Sequence, residues 1–393
     1  EGAPRGLSCA GLVGMIDPLR ADARDAVRRC RDAGVRIAMV TGDHQATALA
    51  IARDLSLGPP RGADGSVGAL TGEMLDRIDD TALERAVSRD GIHVFARVSP
   101  AQKLRLVEAA RRAGELVAVT GDGANDAPAL KAANIGVAMG KSGTDAARES
   151  ADLVIADDRL STIVDGIEEG RVAYANIRKV VHLLVSTNCA EAILVIGAIS
   201  LGLPLPLLPT QLLWLNLATE GLQDVALAFE PAERGVLAQP PRPARQAIFD
   251  RLMIERLLVG SIVIGGTSLW YFAWLIGQGV AEDDARNRLL LLMVLFENAQ
   301  AGNSRSETRS VFASWPWTNP ALLVAVAAGL ALHVGAMHLP ALRGVLATSP
   351  VSLGTFASCA LLSLAALAAV ELHKLAWSRR RRLVSRADHA PAA

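Results

Sequence analysis

The sequence predicts two parts of different fold class: an α/β domain with a Rossmann-like parallel sheet, followed by an all-α bundle of six transmembrane helices. Before about Arg178, charged residues are dense and short apolar segments alternate with helical patterns. After it, long apolar stretches dominate. The 393 residues suffice for two domains, and 51% hydrophobic with 20% charged residues is too apolar for an ordinary soluble protein.

Strand and helix patterns alternate in the first part, as is typical of βαβ units with parallel strands. The predicted strands are short and apolar, and they cover 35–40, 93–98, 116–119, 135–139 and 152–155. Helices are predicted at 45–55 and 99–112, and Ser99 suits the N-cap of the second. Open sheets of this kind bind ligands at the carboxyl ends of their strands.

The turn at 120–130, Thr-Gly-Asp-Gly-Ala-Asn-Asp-Ala-Pro-Ala-Leu, follows one of these strands. It carries three side chains with oxygen ligands, Asp122, Asn125 and Asp126, and Pro128 suits the first turn of a following helix. Clustered carboxylates at such a place suit hydrated Mg²⁺, which usually takes one or two carboxylates and phosphate oxygens. The turn therefore predicts magnesium-dependent phosphoryl chemistry.

Two further groups are expected near this turn. Thr41 offers a hydroxyl at the end of the first strand, and Lys103 offers a mobile ammonium. Phosphoryl transfer depends mostly on positioning and charge neutralisation, so these groups and Mg²⁺ would suit one phosphoryl group. Alone, each residue could be an ordinary turn or surface residue, and it is their combination that favours a site.

The second part contains six apolar stretches, most of them near the roughly 20 residues that a spanning helix needs. They cover about 180–201, 207–229, 257–277, 289–302, 321–338 and 353–375, and the fourth is short with a polar end. Arginine-rich segments alternate with weakly charged or acidic ones along this part. By the positive-inside rule we expect a multi-pass protein of the plasma membrane with both chain ends in the cytoplasm.

The predicted domain boundaries follow from these patterns. Residues 1–160 form the α/β part, 161–179 a stalk helix, 180–377 the membrane helices and 378–393 a basic tail. No proline interrupts the helical pattern from about 161 to 197, so one helix is expected to run from the first part into the second. Such a helix could transmit displacement between the two parts.

Polar residues lie inside two of the apolar stretches. Asn188 and Glu191 are three residues apart in the first, and Asn216 and Glu220, with Thr219 beside them, are four apart in the second. A charge at the bilayer centre costs about 2.5–3.5 kcal/mol even on lenient scales. A dehydrated hard cation, Ca²⁺ or another, would explain carboxylate, amide and hydroxyl oxygens together. The alternative is hydrogen bonding between helices.

Composition adds little else. Lys+Arg and Asp+Glu are both 40, which gives no sign of a nucleic-acid partner, and none is expected. The four cysteines lie far apart without metal-site spacing and are expected to be reduced. Because the chain begins with Glu1 and has no signal peptide, we expect it to be the carboxyl-terminal fragment of a longer protein.

Four segments in this order resemble P-type ion-pumping ATPases, whose phosphorylation domain is of the haloacid-dehalogenase superfamily. They are 15–20 (Met-Ile-Asp-Pro-Leu-Arg), 40–43 (Val-Thr-Gly-Asp), 95–103 (Phe-Ala-Arg-Val-Ser-Pro-Ala-Gln-Lys) and 120–130. The polar spacing in the membrane part is similar to the fifth and sixth helices of the calcium-pump-like subclass. The resemblance covers essentially the whole chain and implies a partial haloacid-dehalogenase-like domain followed by the last six membrane helices.

The resemblance also implies roles for individual residues. Asp122 would bind Mg²⁺ with support from Asp126, while Asn125 and Thr41 would contact the phosphoryl group that Lys103 neutralises. The nucleotide ATP would be contacted by further residues, namely Asp17, Gly42, Asp43 and Arg97 together with Thr41. The transported cation would be bound by Asn188, Glu191, Asn216, Thr219 and Glu220, and Glu307 resembles one more ligand position.

One departure from the family pattern concerns the nucleophile. The family forms a phosphoenzyme on the aspartate of Asp-Lys-Thr-Gly-Thr, and that motif does not occur in this sequence. We therefore expect the missing amino-terminal part of the same pump as a partner, besides ATP, the cation and the lipid bilayer. The alternatives are a pump for Mn²⁺, Na⁺, K⁺ or H⁺, a membrane-anchored phosphatase, and a non-catalytic truncated regulator. A Thr-Gly-Glu triplet at 71–73 is expected only to cap a helix.

Overall fold

The computed structural model describes residues 18–57, 69–88, 93–233, 235–243, 246–313 and 316–388, which fall into two compact units. Unit 1 takes the described residues up to Glu168 together with 235–243, and unit 2 takes the others. Segment 235–243 follows the second apolar stretch in sequence, but it belongs to unit 1. It packs there against Gly34, so closely that a Cβ added at Gly34 would lie 2.7 Å from Pro241. Asp17 and Cys9 lie outside the described residues.

The described residues of unit 1 form two three-stranded sheets, and every strand pair in them is parallel. The strands are β1 Met39–Val40, β2 Ala69–Thr71, β3 Val94–Ala96, β4 Ala118–Gly121, β5 Ile135–Met139 and β6 Leu153–Ile155. Their order is β1-β3-β2 in one sheet and β4-β5-β6 in the other. The predicted parallel α/β architecture is confirmed. β5 has the predicted bounds and β4 is shifted by two residues, whereas β1, β3 and β6 are shorter than predicted and β2 was not predicted.

Helices cover these sheets. They are α1 Ala23–Asp32, α2 Gln45–Asp54, α3 Gly72–Arg77, α4 Asp80–Ser88, α5 Pro100–Arg112, α6 Ala127–Ala132 and α7 Asp145–Ser150. The predicted cap of α5 is confirmed, because Ser99 Oγ accepts the Gln102 N–H and the Gln102 side chain accepts the Ser99 N–H. Thr71 likewise caps α3, and Glu73 pairs with Arg77 on the surface, so this triplet has the structural role expected for it.

Unit 2 is helical. The 41-residue helix α8, Leu160–Ser200, begins in unit 1 and continues without a break, as predicted for a proline-free segment. The other helices are α9 Pro209–Trp214, α10 Glu220–Ala228, α11 Arg251–Gly277, α12 Glu282–Ser304, α13 Pro320–Ala336, α14 Pro340–Leu346 and α15 Leu353–Asp388. A π-helical turn, Leu215–Thr219, joins α9 to α10. Large side chains such as Phe272 and Phe296 fill the core of this bundle.

Three helices of the described chain are long and apolar enough to cross a membrane: α8, α11 and the Leu353–Arg379 part of α15. The pair α13 and α14, bent by 92°, would make a fourth if it forms one span. The second apolar stretch is divided by the π turn, and the fourth lies in α12, which carries polar residues at both ends. Several membrane helices are therefore present, and the number six stays a prediction.

The stability of the loop that Asp158 holds in unit 1 depends on pH. The Asp158 carboxylate accepts the N–H of Lys141 (2.9 Å) and of Ser142 (2.7 Å), and its own φ is +60°. These peptide N–H groups, Lys141 first, favour the charged form and lower the pKa of Asp158 from 3.8 to about 2. The stabilisation is therefore complete above pH 3.8 and is lost as the pH falls through about 2.

We expect Asp158→Asn to speed hydrogen exchange at the Lys141 and Ser142 amides several-fold at pH 7, because an amide offers only one acceptor oxygen. Exchange followed by mass spectrometry, with wild type and variant compared at each pH, would measure this. The difference should shrink as the pH falls through about 2. Asp145→Asn, on an exposed carboxylate that pairs with Arg148, serves as control. A difference that does not vary with pH would contradict a role for the charge.

Candidate functional site

Thr41 lies where β1 ends and is held in a tight loop. Its hydroxyl donates to Asp43 Oδ2 (2.9 Å) and accepts the Asp43 N–H (3.1 Å). Its main chain bonds to the neighbouring strand, from Thr41 N–H to the Phe95 carbonyl and from Val98 N–H to the Thr41 carbonyl. The loop is thus fixed by hydrogen bonds while Gly42 and Asp43 at its tip stay exposed.

Arg97 lies on the adjoining loop after β3. Its backbone has a φ of +52°, and its N–H donates to the Asp43 carbonyl over 3.0 Å. The guanidinium end of this exposed residue is free to meet a ligand in solution, as an arginine that binds phosphate must be. The structure thus brings together the predicted nucleotide contacts Gly42, Asp43 and Arg97, whereas Asp17 lies outside the described residues.

The turn after β4 holds an ammonium–carboxylate pair. Lys103 Nζ, from α5, lies 2.6 Å from Asp126 Oδ1, and Asp126 Oδ2 accepts the Gly123 N–H over 3.2 Å. Gly121 permits this packing, because a Cβ there would lie 2.6 Å from Asp126 Cβ. Both carboxylate oxygens of Asp126 are therefore engaged, and the residue holds Lys103 against the turn.

Asp122 is the open carboxylate of this turn. Its carbonyl accepts the Thr144 N–H over 2.8 Å, which fixes the backbone while the side chain remains exposed. Asn125 is exposed beside it, on the 3₁₀ turn Ala124–Asp126. Within the described part of the chain, no three His, Cys, Asp or Glu side chains are placed to hold a metal by themselves. One open carboxylate suits Mg²⁺ that keeps waters or phosphate oxygens as its other ligands.

In unit 2 the π turn carries polar side chains into the bundle. π turns inside helices are frequent at functional sites, because the extra residue changes which side chains face inwards. Glu220, fully buried, follows the turn, and its Oε1 accepts the hydroxyl of Thr187 on α8 over 2.5 Å. Thr219, also fully buried, donates to Glu297 Oε2 on α12 over 2.6 Å. Three helices are thus joined through carboxylates.

A third contact completes this cluster. Asn216 Nδ2 lies 3.2 Å from Glu191 Oε2, so the amide of the π turn meets the carboxylate of α8. We call Thr187, Glu191, Asn216, Thr219, Glu220 and Glu297 the carboxylate cluster.

Several buried oxygens around the cluster accept no hydrogen bond from the described residues. They are Glu220 Oε2, Glu297 Oε1, Gln223 Oε1 and Asp224 Oδ1. A buried carboxylate oxygen without a partner is costly unless a cation or a proton meets it. The cluster therefore has the chemistry of a cation site built from carboxylate, amide and hydroxyl oxygens.

Two predicted cation ligands lie elsewhere. Glu307 lies outside the carboxylate cluster, where its carboxylate forms a two-pronged ion pair with buried Arg178, with Nε–Oε1 at 2.6 Å. Its role as a cation ligand stays a prediction. Asn188 is exposed and donates to the carbonyl of Leu184, outside the carboxylate cluster. Glu297, which was not among the predicted ligands, is a member of the cluster. The only sequence signal for Glu297 was its position as a carboxylate in an apolar stretch.

Comparisons with known proteins match both units. Residues 8–134 match a model for haloacid dehalogenase-like hydrolases, and 102–167 match a second such model. Residues 204–376 match the carboxyl-terminal model of cation-transporting ATPases. The three matches together cover the α/β unit and most of the helical unit.

Individual relatives agree with these matches. The chain is 41% identical to the probable cation-transporting ATPase F of Mycobacterium tuberculosis and 38% identical to the calcium-transporting ATPase of Bacillus subtilis. It is also 38% identical to a cation-transporting ATPase of Synechocystis. These alignments cover 90–91% of the chain and 39% of each relative, so the chain spans about two fifths of their length. By these matches and its haloacid dehalogenase-like site, the chain belongs to the P-type ATPases.

Proposed function

We propose that the full-length protein containing this chain uses ATP to transport a cation, with Ca²⁺ favoured, through an aspartyl-phosphate cycle. The observation that carries the proposal is the carboxylate cluster, with its partnerless oxygens. The same chain also holds the phosphoryl-site candidates of unit 1: Thr41 after β1, and Lys103 paired with Asp126 on the turn that carries Asp122. Neither feature alone requires a pump. A phosphoryl site needs no buried intramembrane carboxylates, and a passive cation site needs no phosphoryl chemistry.

In unit 1, Asp122 would hold Mg²⁺, which supplies charge neutralisation on phosphate oxygens when bound. Lys103 would neutralise the phosphoryl group from the position that Asp126 fixes for it. The Thr41 hydroxyl and the Asn125 amide would orient that group. Gly42, Asp43 and Arg97 would contact ATP on the adjoining loops, a role that Asp17 would share.

In unit 2, the carboxylate cluster would bind the cation. All its side chains offer oxygen, and flexible oxygen sites with several carboxylates suit Ca²⁺ better than they suit softer metals. Two relatives, from Bacillus subtilis and Bacillus cereus, are named calcium-transporting ATPases, which supports this preference. The other cations in question are Mn²⁺, Na⁺, K⁺ and H⁺, of which Mn²⁺ shares the most ligand chemistry with Ca²⁺.

The remaining partners follow from the same proposal. Lipid would surround the apolar helices of a protein in the plasma membrane, with both chain ends in the cytoplasm. The nucleophilic aspartate would come from the amino-terminal part of the same pump, since the relatives extend well beyond the aligned region. A membrane-anchored phosphatase or a non-catalytic regulator would lack this amino-terminal part with its nucleophilic aspartate.

An assay of the purified full-length protein in lipid, with wild type and Glu191→Gln compared across a panel of cations, tests the proposal. We expect Ca²⁺ to stimulate phosphorylation by ATP most strongly. We expect the variant to need at least tenfold more Ca²⁺ for half-maximal stimulation. The Gln side chain keeps the contact with Asn216, but the substitution removes the negative charge. Exposed Glu282 on α12, changed to Gln, is the matched control. Phosphatase activity that no cation of the panel stimulates would favour the phosphatase and contradict the pump.

A further inference from the structure

Two basic side chains from different helices meet one carbonyl near the end of α12. Arg256 of α11 donates from Nη2 to the Asn303 carbonyl over 3.2 Å, and Lys374 of α15 donates from Nζ to the same oxygen over 3.1 Å. Both side chains are buried, at 2% and 4% exposure. Cationic groups stabilise the carboxyl end of a helix, whose last carbonyls carry partial negative charge. We call Arg256, Lys374 and the Asn303 carbonyl the α12 clamp.

Arg256 differs from the other buried cations of unit 2. Those form ion pairs with carboxylates: Arg178 with Glu307, Lys179 with Glu233, Arg305 with Glu230, and Lys374 itself with Glu371. Arg256 makes no such pair with any described residue, and its Nε has no partner there. Its charge therefore faces a helix end, not a carboxylate.

Hydrogen bonds lead from the clamp towards the carboxylate cluster. Asn303 Nδ2 donates to Gln300 Oε1 over 3.1 Å, and Gln300 Nε2 donates to Ser186 Oγ on α8 over 2.9 Å. Gly260 of α11, one turn after Arg256, lies so close that a Cβ there would be 3.0 Å from Gln300 Nε2. Helix α12 thus has little freedom to slide against α8 or α11 while the clamp is closed.

The same helix carries a member of the cluster. Glu297 precedes Asn303 by six residues, about 9 Å along the helix axis. It accepts the Thr219 hydroxyl, and Thr187, next to Ser186, donates to Glu220. Any axial shift of α12 therefore moves the Glu297 carboxylate relative to Glu220 by the same distance, and cation affinity depends on ligand spacing of tenths of an ångström.

We propose that Arg256 and Lys374 are positioning residues that set cation affinity by fixing the axial position of α12. This inference rests on the proposed cation site. Neither side chain touches the cation; they act through Asn303, Gln300 and Glu297. The clamp assigns a role in cation binding to α11 and α15, which contribute no member to the carboxylate cluster.

The test uses the full-length protein with Arg256→Met, Lys374→Met, Arg256→Lys and Glu371→Gln. Cation dependence of phosphorylation by ATP is measured beside phosphorylation by inorganic phosphate without the cation, which is the reverse of the hydrolysis step. We expect both methionine variants to need five- to tenfold more cation, with phosphorylation by phosphate within twofold of wild type. Arg256→Lys should recover part of the affinity. Glu371→Gln removes the charge that pairs with Lys374, keeps an oxygen that can accept the Val311 N–H, and leaves the bond from Lys374 to Asn303. This variant should stay within twofold of wild type.

The outcomes separate this inference from the proposed function. If wild type shows no cation-dependent phosphorylation, the proposed function fails. If wild type responds but the methionine variants keep its half-saturating cation concentration, the positioning role is overturned. Equal loss of both phosphorylation reactions would also overturn it, because a merely structural role predicts that pattern. Should Arg256→Met fail to fold, the contrast between Lys374→Met and Glu371→Gln decides alone.

Discussion

Replacing Glu220 by Gln should raise the half-saturating cation concentration of the full-length protein by about a hundredfold or more. Glu220 is fully buried, and its Oε2 meets no donor among the described residues, so this oxygen is available to coordinate a bound cation. Gln keeps the size of the side chain and the acceptor for Thr187, but it removes the charge. Truncating one partner of a buried charge pair costs several kcal/mol. Phosphorylation by ATP over a cation titration measures the effect.

A companion variant separates charge from positioning at the same residue. Thr187→Val removes the hydroxyl that donates to Glu220 and leaves the carboxylate in place. The half-saturating cation concentration should then rise about tenfold, which corresponds to the loss of one charge-assisted hydrogen bond. Equal effects of Glu220→Gln and Thr187→Val would contradict a direct contact between Glu220 and the cation. Full activity of Glu220→Gln would remove Glu220 from the site.

The unit 1 site could be predicted from local sequence because its contacts are short-range. The caps at Ser99 and Thr71 and the turn at 120–130 depend on residues within a few positions of each other. By contrast, the pair of Lys103 with Asp126 joins α5 to the turn after β4 across 23 residues, so local sequence alone did not determine it.

The unit 2 site was harder to predict, since its contacts join distant helices. The ion pair of Glu307 was not predicted because its partner Arg178 lies 129 residues away in sequence. The apolar pattern did not predict the π turn, although the turn orients Thr219 towards Glu297. Asn188 and Glu191 are separated by 60° around a helix at 100° per residue, enough for one to be buried and the other exposed.

The two aspartates of the 120–130 turn should separate in their dependence on Mg²⁺. Asp122 offers an open carboxylate, so Asp122→Asn should slow phosphorylation roughly 10²- to 10³-fold and raise the Mg²⁺ concentration needed for half the rate. Asp126 has both oxygens engaged, by Lys103 and by the Gly123 N–H. Asp126→Asn should therefore slow phosphorylation by releasing Lys103 while the Mg²⁺ requirement stays near that of wild type.

Magnesium titrations of the phosphorylation rate in the full-length protein distinguish these two roles. Asp145→Asn is the matched control, since its side chain is 87% exposed and pairs with Arg148 on the surface. Because Lys103 and Asp126 act as one pair, Lys103→Met and Asp126→Asn should not be additive when combined. A raised Mg²⁺ requirement in Asp126→Asn, equal to that of Asp122→Asn, would instead make both carboxylates metal ligands. That result would mean that Asp126 leaves Lys103 when Mg²⁺ and phosphate bind.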